Sequence, residues 1–286
     1  MVIYNPKDWK KLIFAFHKSD TFRMMLPGIL GVAAFTGIVA YLENDYFNAS
    51  FKNTTAIHSL VGFVLSLLLV FRTNTAYDRW WEGRKQWGAM VNNSRNLALK
   101  LSVIIKSEEV KKRFRIHLIN YVFAIKEHLR AGVIWEEITA TESYSHKELK
   151  EVIHVPNRIM KAIYGEVQQL IEKKEISHEQ MLFINEELRS FTDIVGACER
   201  IKKTPIPYSY GLFINKVIFI YVFTMPIGFV REFGYWAMPI VSLIFYVFGS
   251  IELIAEEIED PFGRDANDLP IDTIAQTIKD NLNEIL

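Results

Sequence analysis

The sequence predicts an all-α protein in which four transmembrane helices carry a cytosolic helical bundle. Three observations lead there. The 286 residues are half hydrophobic, yet charge is segregated along the chain rather than mixed. Four stretches are nearly free of charge, and each approaches or passes the ~18–20 residues that span a bilayer core. Between and after them, apolar residues recur at spacings of three and four, the period of an amphipathic helix, and strand alternation is missing.

Taken in order, residues 1–24 form a cytosolic N-terminal segment with Lys7, Lys10, Lys11, Lys18 and Arg23 and no small-residue cleavage site of a secretory signal. Residues 25–71 form the first transmembrane hairpin. Its helices are Met25–Leu42 and Thr54–Phe71, neither holding an Asp, Glu, Lys or Arg, joined by a turn around Glu43–Asn53. Residues 72–203 form a cytosolic helical region. Residues 204–251 form the second hairpin: Pro207–Val230, whose only charge is Lys216, then Arg231–Glu232, then the charge-free Phe233–Ile251. Residues 252–286 close the chain as a cytosolic C-terminal helical segment. Basic residues set orientation. They gather before the first span and after the second (Arg72, Arg79, Arg84, Lys85), while the hairpin turns hold only Lys52 and Arg231. Both termini are therefore expected in the cytoplasm.

Within 72–203, Val110, Phe114, Leu118, Tyr121, Ile125 and Leu129 make one apolar stripe. Pro156 suits the first turn of a second helix with Ile159, Ile163, Val167 and Leu170 on one face. Ser177 and Gln180 have capping-box spacing ahead of Met181, Ile184, Leu188 and Phe191. Pro270 opens a last helix with Ile271, Ile274, Ile278, Leu282 and Ile285.

Several chemistries are excluded. With 33 basic and 33 acidic residues there is no surplus of positive charge for nucleic acid. Cys198 is the only cysteine, so there is no intramolecular disulfide, and a buried inert thiol is expected. The histidines (His17, His58, His117, His128, His146, His154, His178) show no paired ligand spacing, and His117 and His128 read as packing or surface residues of an amphipathic helix. Gly28, Gly31 and Gly37 suit close packing in a membrane helix rather than a phosphate loop. Asp265 and Asp268, with Asn267, form a candidate weak cation loop, but the glycine and distal glutamate of an EF-hand are missing and calcium is disfavoured. Nothing anchors an enzyme, a cofactor or a confident metal site.

The second apolar stretch carries Phe63, Leu67 and Phe71 at i, i+4 and i+8, one face of a helix expected to end at Arg72. In a monomer such a stripe packs against a neighbour. In a ring of subunits it becomes a stack of apolar rings that gates ions by dewetting. Periodicity alone favours the packing role.

Three segments add to this: FRTNTAYDRWWEGRKQWG at 71–88, GACERIKKTPIPYSY at 196–210 and EEIEDPFGRDANDLP at 256–270. Together they resemble the bestrophin family in its bacterial branch, in family order and over nearly the whole chain. The resemblance implies an ion channel in a bacterial inner membrane, a homopentamer of identical subunits around a central pore. It places the hydrophobic pore neck at Phe63, Leu67 and Phe71. A lower cytosolic constriction falls at Met181, or at Leu182 if the alignment slips by one. Trp80 and Trp81 are expected to pack, and Arg79 and Arg84 to pair among Glu256, Glu257, Glu259 and Asp260. Animal members are calcium-gated through an acidic run after the PFG element. Here that run reads RDANDLP, with Arg264 reversing one charge, so calcium gating is not expected. The resemblance implies passive conduction of small monovalent ions. The neck has no charge, and aromatic edges are partially positive, which slightly favours anions such as chloride. Bacterial relatives include sodium-conducting channels, and Leu67 reduces the aromatic lining. The alternatives are a sodium or monovalent-cation channel and, in another class, a non-conducting membrane-anchored signalling or scaffold protein.

Overall fold

Nine α-helices follow one another in the computed structural model, which describes residues 20–46 and 54–286; among these there is no strand, only an isolated bridge between Thr141 and Tyr144. The basic flank from Lys7 to Lys18 and the turn residue Lys52 lie outside the described residues. The helices are α1 (Asp20–Tyr41), α2 (Thr55–Ile104), α3 (Glu108–His128), α4 (His146–Glu151), α5 (Val155–Glu172), α6 (His178–Lys203), α7 (Tyr208–Phe233), α8 (Ala237–Glu259) and α9 (Ile271–Ile285).

The chain divides into two units. One holds residues 20–46, 54–79 and Pro205–Glu259; the other holds Trp80–Thr204 and Asp260–Leu286. The boundaries expected at 71/72, 203/204 and 251/252 follow where charge begins. The packing boundaries lie several residues further along α2 and α8, because Arg72 and Glu252 are folded into the apolar unit rather than released from it.

In the membrane unit α1 packs antiparallel to α8: Gly28 lies against Phe245, and Gly37 against Met238. Gly31 instead faces open space beside an apolar cavity of about 320 Å³ lined by Phe35, Phe219 and Phe223. A Cβ at Gly62 would lie 2.5 Å from the Tyr221 hydroxyl, so a side chain there would have to push the Tyr221 ring of α7 aside. By length and composition three stretches are apolar enough to cross a membrane: Thr21–Tyr46, Thr55–Ile104 and the 52-residue Tyr208–Glu259. The third is broken between α7 and α8 at Gly234, whose φ of 55° is left-handed backbone that favours glycine. Of their most apolar 18 residues only 11, 22 and 17% are buried by the described residues, so most of this surface faces outward and needs lipid or other protein to cover it.

α2 does not end at Arg72. It runs 50 residues to Ile104, because no proline interrupts it and its buried stripe continues in register: Leu65, Leu69, Arg72, Ala76, Gly83, Trp87, Met90, Ser94, Leu97, Leu101. The change from lipid-like to polar sequence at Arg72 alters what surrounds the helix, not its backbone.

The polar unit follows its stripes. Val110, Phe114, Leu118, Tyr121, Ile125 and Leu129 of α3 and the next residue on are buried, as are Ile159, Ile163, Val167 and Leu170 of α5. Each such side chain contributes roughly 1.5–3 kcal/mol of burial. α3 packs on α5 and on α9. The Ser177–Gln180 capping box is formed as the spacing predicts, and a second joins Ser145 to Glu148 at α4.

Candidate functional site

Burial on α2 is one-sided. Leu65 and Leu69 are 0 and 2% exposed and pack with Ile214, Ile218, Tyr221, Val222 and Met225 of α7 and Val241 of α8. On the other side Phe63 is 63% exposed, Leu67 45% and Phe71 62%. Among the described residues, none encloses the three side chains that the resemblance assigns to the neck. The stripe is apolar throughout, and ends beside a buried charge.

That charge is Arg72, which turns away from the stripe into the membrane unit. Its Nε donates to Glu252 Oε1 at 3.3 Å and its Nη1 to Glu259 Oε2 at 2.6 Å. Glu259 has two further contacts: Oε1 accepts from the Ile206 amide at 2.7 Å, and its carbonyl accepts from Arg79 Nε at 3.1 Å. One guanidinium and one carboxylate thereby fasten α2 to α8 and to the TPIP segment ahead of α7. Arg79 therefore reaches Glu259 through the main chain. Glu252, 180 residues from Arg72, was not among the partners expected from sequence; its isolated place four residues ahead of the acidic EEIED run was the available signal.

In the polar unit Trp80 donates from Nε1 to the Asn267 carbonyl at 3.0 Å and stacks on Trp81, while Trp87 is fully buried. Gly83 admits Phe262 and Leu269 against α2, a Cβ there lying 3.1 Å from the nearest Phe262 ring carbon and 3.2 Å from Leu269. Of the two lower-constriction residues, Met181 is half-buried in the first turn of α6 and packs on the core, whereas Leu182 is 74% exposed.

The loop with Asp265 and Asp268 closes on itself. Asp268 Oδ2 accepts from the Asp265 amide at 2.6 Å, and Leu269 donates its amide to the Pro261 carbonyl. Asp268 is buried, which pushes its carboxyl up to about 6, and its Oδ1 meets no partner among the described residues. Arg264 reaches from the same loop to Glu127 at 3.2 Å. Calcium takes six to eight oxygens in an open cage. Here one oxygen of Asp268 caps the loop, the other is enclosed, and an arginine stands in the run. Among the described residues, this loop does not supply the oxygen cage that a calcium ion takes.

The histidines hold an arrangement that spacing did not reveal. His128 and His154 both direct Nε2 to Glu199 Oε1, at 2.6 and 2.9 Å, from positions 71 and 45 residues away. The expected surface or packing role for His128 is thus replaced by a polar cluster. His117 is buried, as expected, with Nδ1 2.9 Å from the Tyr144 hydroxyl.

Known proteins agree with this architecture. A family model described as bacterial/fungal bestrophin protein matches residues 1–284. A voltage-dependent anion channel-forming protein of Nostoc sp. is 40% identical over 230 residues, covering 78% of this chain and 74% of its own length. A voltage-dependent anion channel-forming protein of Mesorhizobium japonicum is 28% identical, over all of this chain and 92% of its own. Among solved structures, a bestrophin homologue from Klebsiella pneumoniae superposes with a TM-score of 0.82 at 27% identity, over 90% of this chain and 97% of that one. The match spans both units and every segment around Arg72, the tryptophans and the PFG loop: this chain is a member of the bacterial and fungal branch of the bestrophin family of membrane proteins.

Proposed function

We propose that the protein is an anion-preferring channel, a homopentamer whose subunits each cross the membrane four times and line a neck with Phe63, Leu67 and Phe71. The observation that carries this is the one-sided burial of α2: Leu65 and Leu69 are enclosed by α7 and α8 while the Phe63–Leu67–Phe71 face is bare. An apolar stripe about two and a half turns long needs cover, and identical stripes around an axis supply it. Ions cross such a ring only when it widens enough to wet, since stripping hydration is costly and the ring returns nothing. Aromatic edges at Phe63 and Phe71 favour anions, and the relatives are named as anion channel-forming proteins. Leu182, exposed at the start of α6, is the better candidate for the lower constriction than half-buried Met181. The basic flanks support cytoplasmic termini and placement in a bacterial inner membrane. The channel needs no cofactor in this reading, and calcium does not gate it.

Purified protein in planar bilayers under a sodium chloride gradient tests this. A reversal potential near that of chloride supports the proposal. A potential near that of sodium makes the channel cation-selective, and absence of current from confirmed pentamers leaves the scaffold reading.

A further inference from the structure

We propose that His128, His154 and Glu199 form a site for a divalent transition metal of the zinc type in the polar unit, separate from the ion pathway. The three ligand atoms lie within 4.8 Å of one another. They come from three places in the fold: the last residue of α3, the residue preceding α5, and the final part of α6. Two imidazoles and one carboxylate are a zinc ligand set, and three protein ligands leave a fourth position for water. Hard cations such as magnesium prefer all-oxygen sites.

Distances decide how much must move. A tetrahedral ion about 2.0–2.2 Å from its ligands holds them roughly 3.3–3.6 Å apart. Glu199 Oε1 now stands 2.6 Å from His128 Nε2 and 2.9 Å from His154 Nε2, and the rings are 4.5 Å apart between centroids. Spreading the set by less than about 1 Å, within reach of a side-chain adjustment, admits the ion. The side chains are 22, 27 and 20% exposed, so the ligands are held by the fold while an open side remains.

Surrounding charges act in both directions. The carboxyl-terminal ends of α3 and α6 present carbonyl oxygens and favour a cation. The amino-terminal end of α5 opposes it, as does Lys203, whose Nζ lies 3.7 Å from Glu199 Oε2. Lys203 is 70% exposed and can turn to solvent.

Without metal, protons do the ion's work. His154 Nδ1 accepts from the Asn157 amide at 3.1 Å, which places the proton on Nε2, facing Glu199. Metal binding moves that proton to Nδ1 or to solvent and gives up the Asn157 contact.

The test uses full-length protein with its affinity tag removed, stripped with a chelator and titrated with zinc chloride alone. Calorimetry and thermal unfolding read the result. One zinc per chain, with a rise in Tm, supports the site. His154→Ala and Glu199→Gln weaken binding at least tenfold, while His178→Ala, exposed in the first turn of α6, leaves it unchanged. Glu199→Gln keeps the shape and an acceptor oxygen, so it decides the matter should the alanine variant fail to fold. Absence of zinc binding by the wild-type protein overturns the proposal. So does undiminished binding in Glu199→Gln, or magnesium binding as tightly as zinc.

Discussion

Arg72 shows what a sequence reveals and what it hides at the scale of a residue. An arginine directly after eighteen uncharged residues is conspicuous, and it was expected to end a helix. Instead it is 4% exposed and holds Glu252, itself 5% exposed, and Glu259. The partners lie 180 and 187 residues away, a distance no local pattern bridges. Removing one member of a buried ion pair strands the other, at a cost of about 3–5 kcal/mol. Arg72→Met is expected to lower Tm sharply, and Arg72→Met with Glu252→Gln to recover part of the loss because the stranded charge is gone. Arg72→Lys is expected to fall between, since a single ammonium does not reproduce the guanidinium fork. Thermal unfolding in detergent measures all three. Cys198 was legible from its solitude: it is buried, and burial pushes its thiol up to about 12. In native protein it should resist maleimide at mildly alkaline pH and react once unfolded, because only the thiolate attacks. Rapid labelling of the native state would show that α6 opens around it.

At the scale of elements, amphipathic period and capping chemistry made most of the polar unit legible. The stripes of α3 and α5 and the Ser177 capping box required only local sequence. The full length of α2 did not, because a change of composition at Arg72 resembles a stop although no glycine or proline enforces one there. The docking of α9 depends on non-local charge. Arg130 meets Asp272 through two contacts of 2.9 and 2.8 Å, and Lys126, 3% exposed, reaches it at 3.1 Å. Hydrogen bonds from Arg130 hold the Asp272 carboxyl well below the usual carboxylate range; burial opposes them and Lys126 adds to them. A depressed carboxyl stabilises the fold above the unfolded value, about 3.9, and that contribution is lost as pH falls through the lower folded value. Asp272 is 61% exposed, so solvent screens part of it. Asp272→Asn is expected to loosen α9 at neutral pH and to flatten the decline of Tm below about pH 4. An unchanged acid limb would place the sensitivity elsewhere.

At the scale of the whole molecule, the stripe Phe63–Leu67–Phe71 was legible, but its purpose was not, since a period of four serves packing and pore lining equally. One chain gives half of the answer by covering the opposite face and leaving this one bare. The two faces make opposite forecasts for neighbouring leucines. Leu65 and Leu67 are two residues apart, about 200° around the helix. Leu65 is fully buried, so Leu65→Ala opens a cavity against Ile214 and Ile218 and costs about 2–5 kcal/mol. It should lower Tm and leave single-channel conductance alone. Leu67 is 45% exposed and loses little packing within its own chain. In a pentamer, however, Leu67→Ala shortens every side chain of one ring at once and makes the narrowest stretch easier to wet. Conductance or open probability in planar bilayers should rise markedly while native mass spectrometry still shows five subunits. If Leu65→Ala raises the current and Leu67→Ala does not, the pore lies on the other face of α2. If the protein is monomeric or dimeric, the bare stripe contacts lipid, and no pore forms around it.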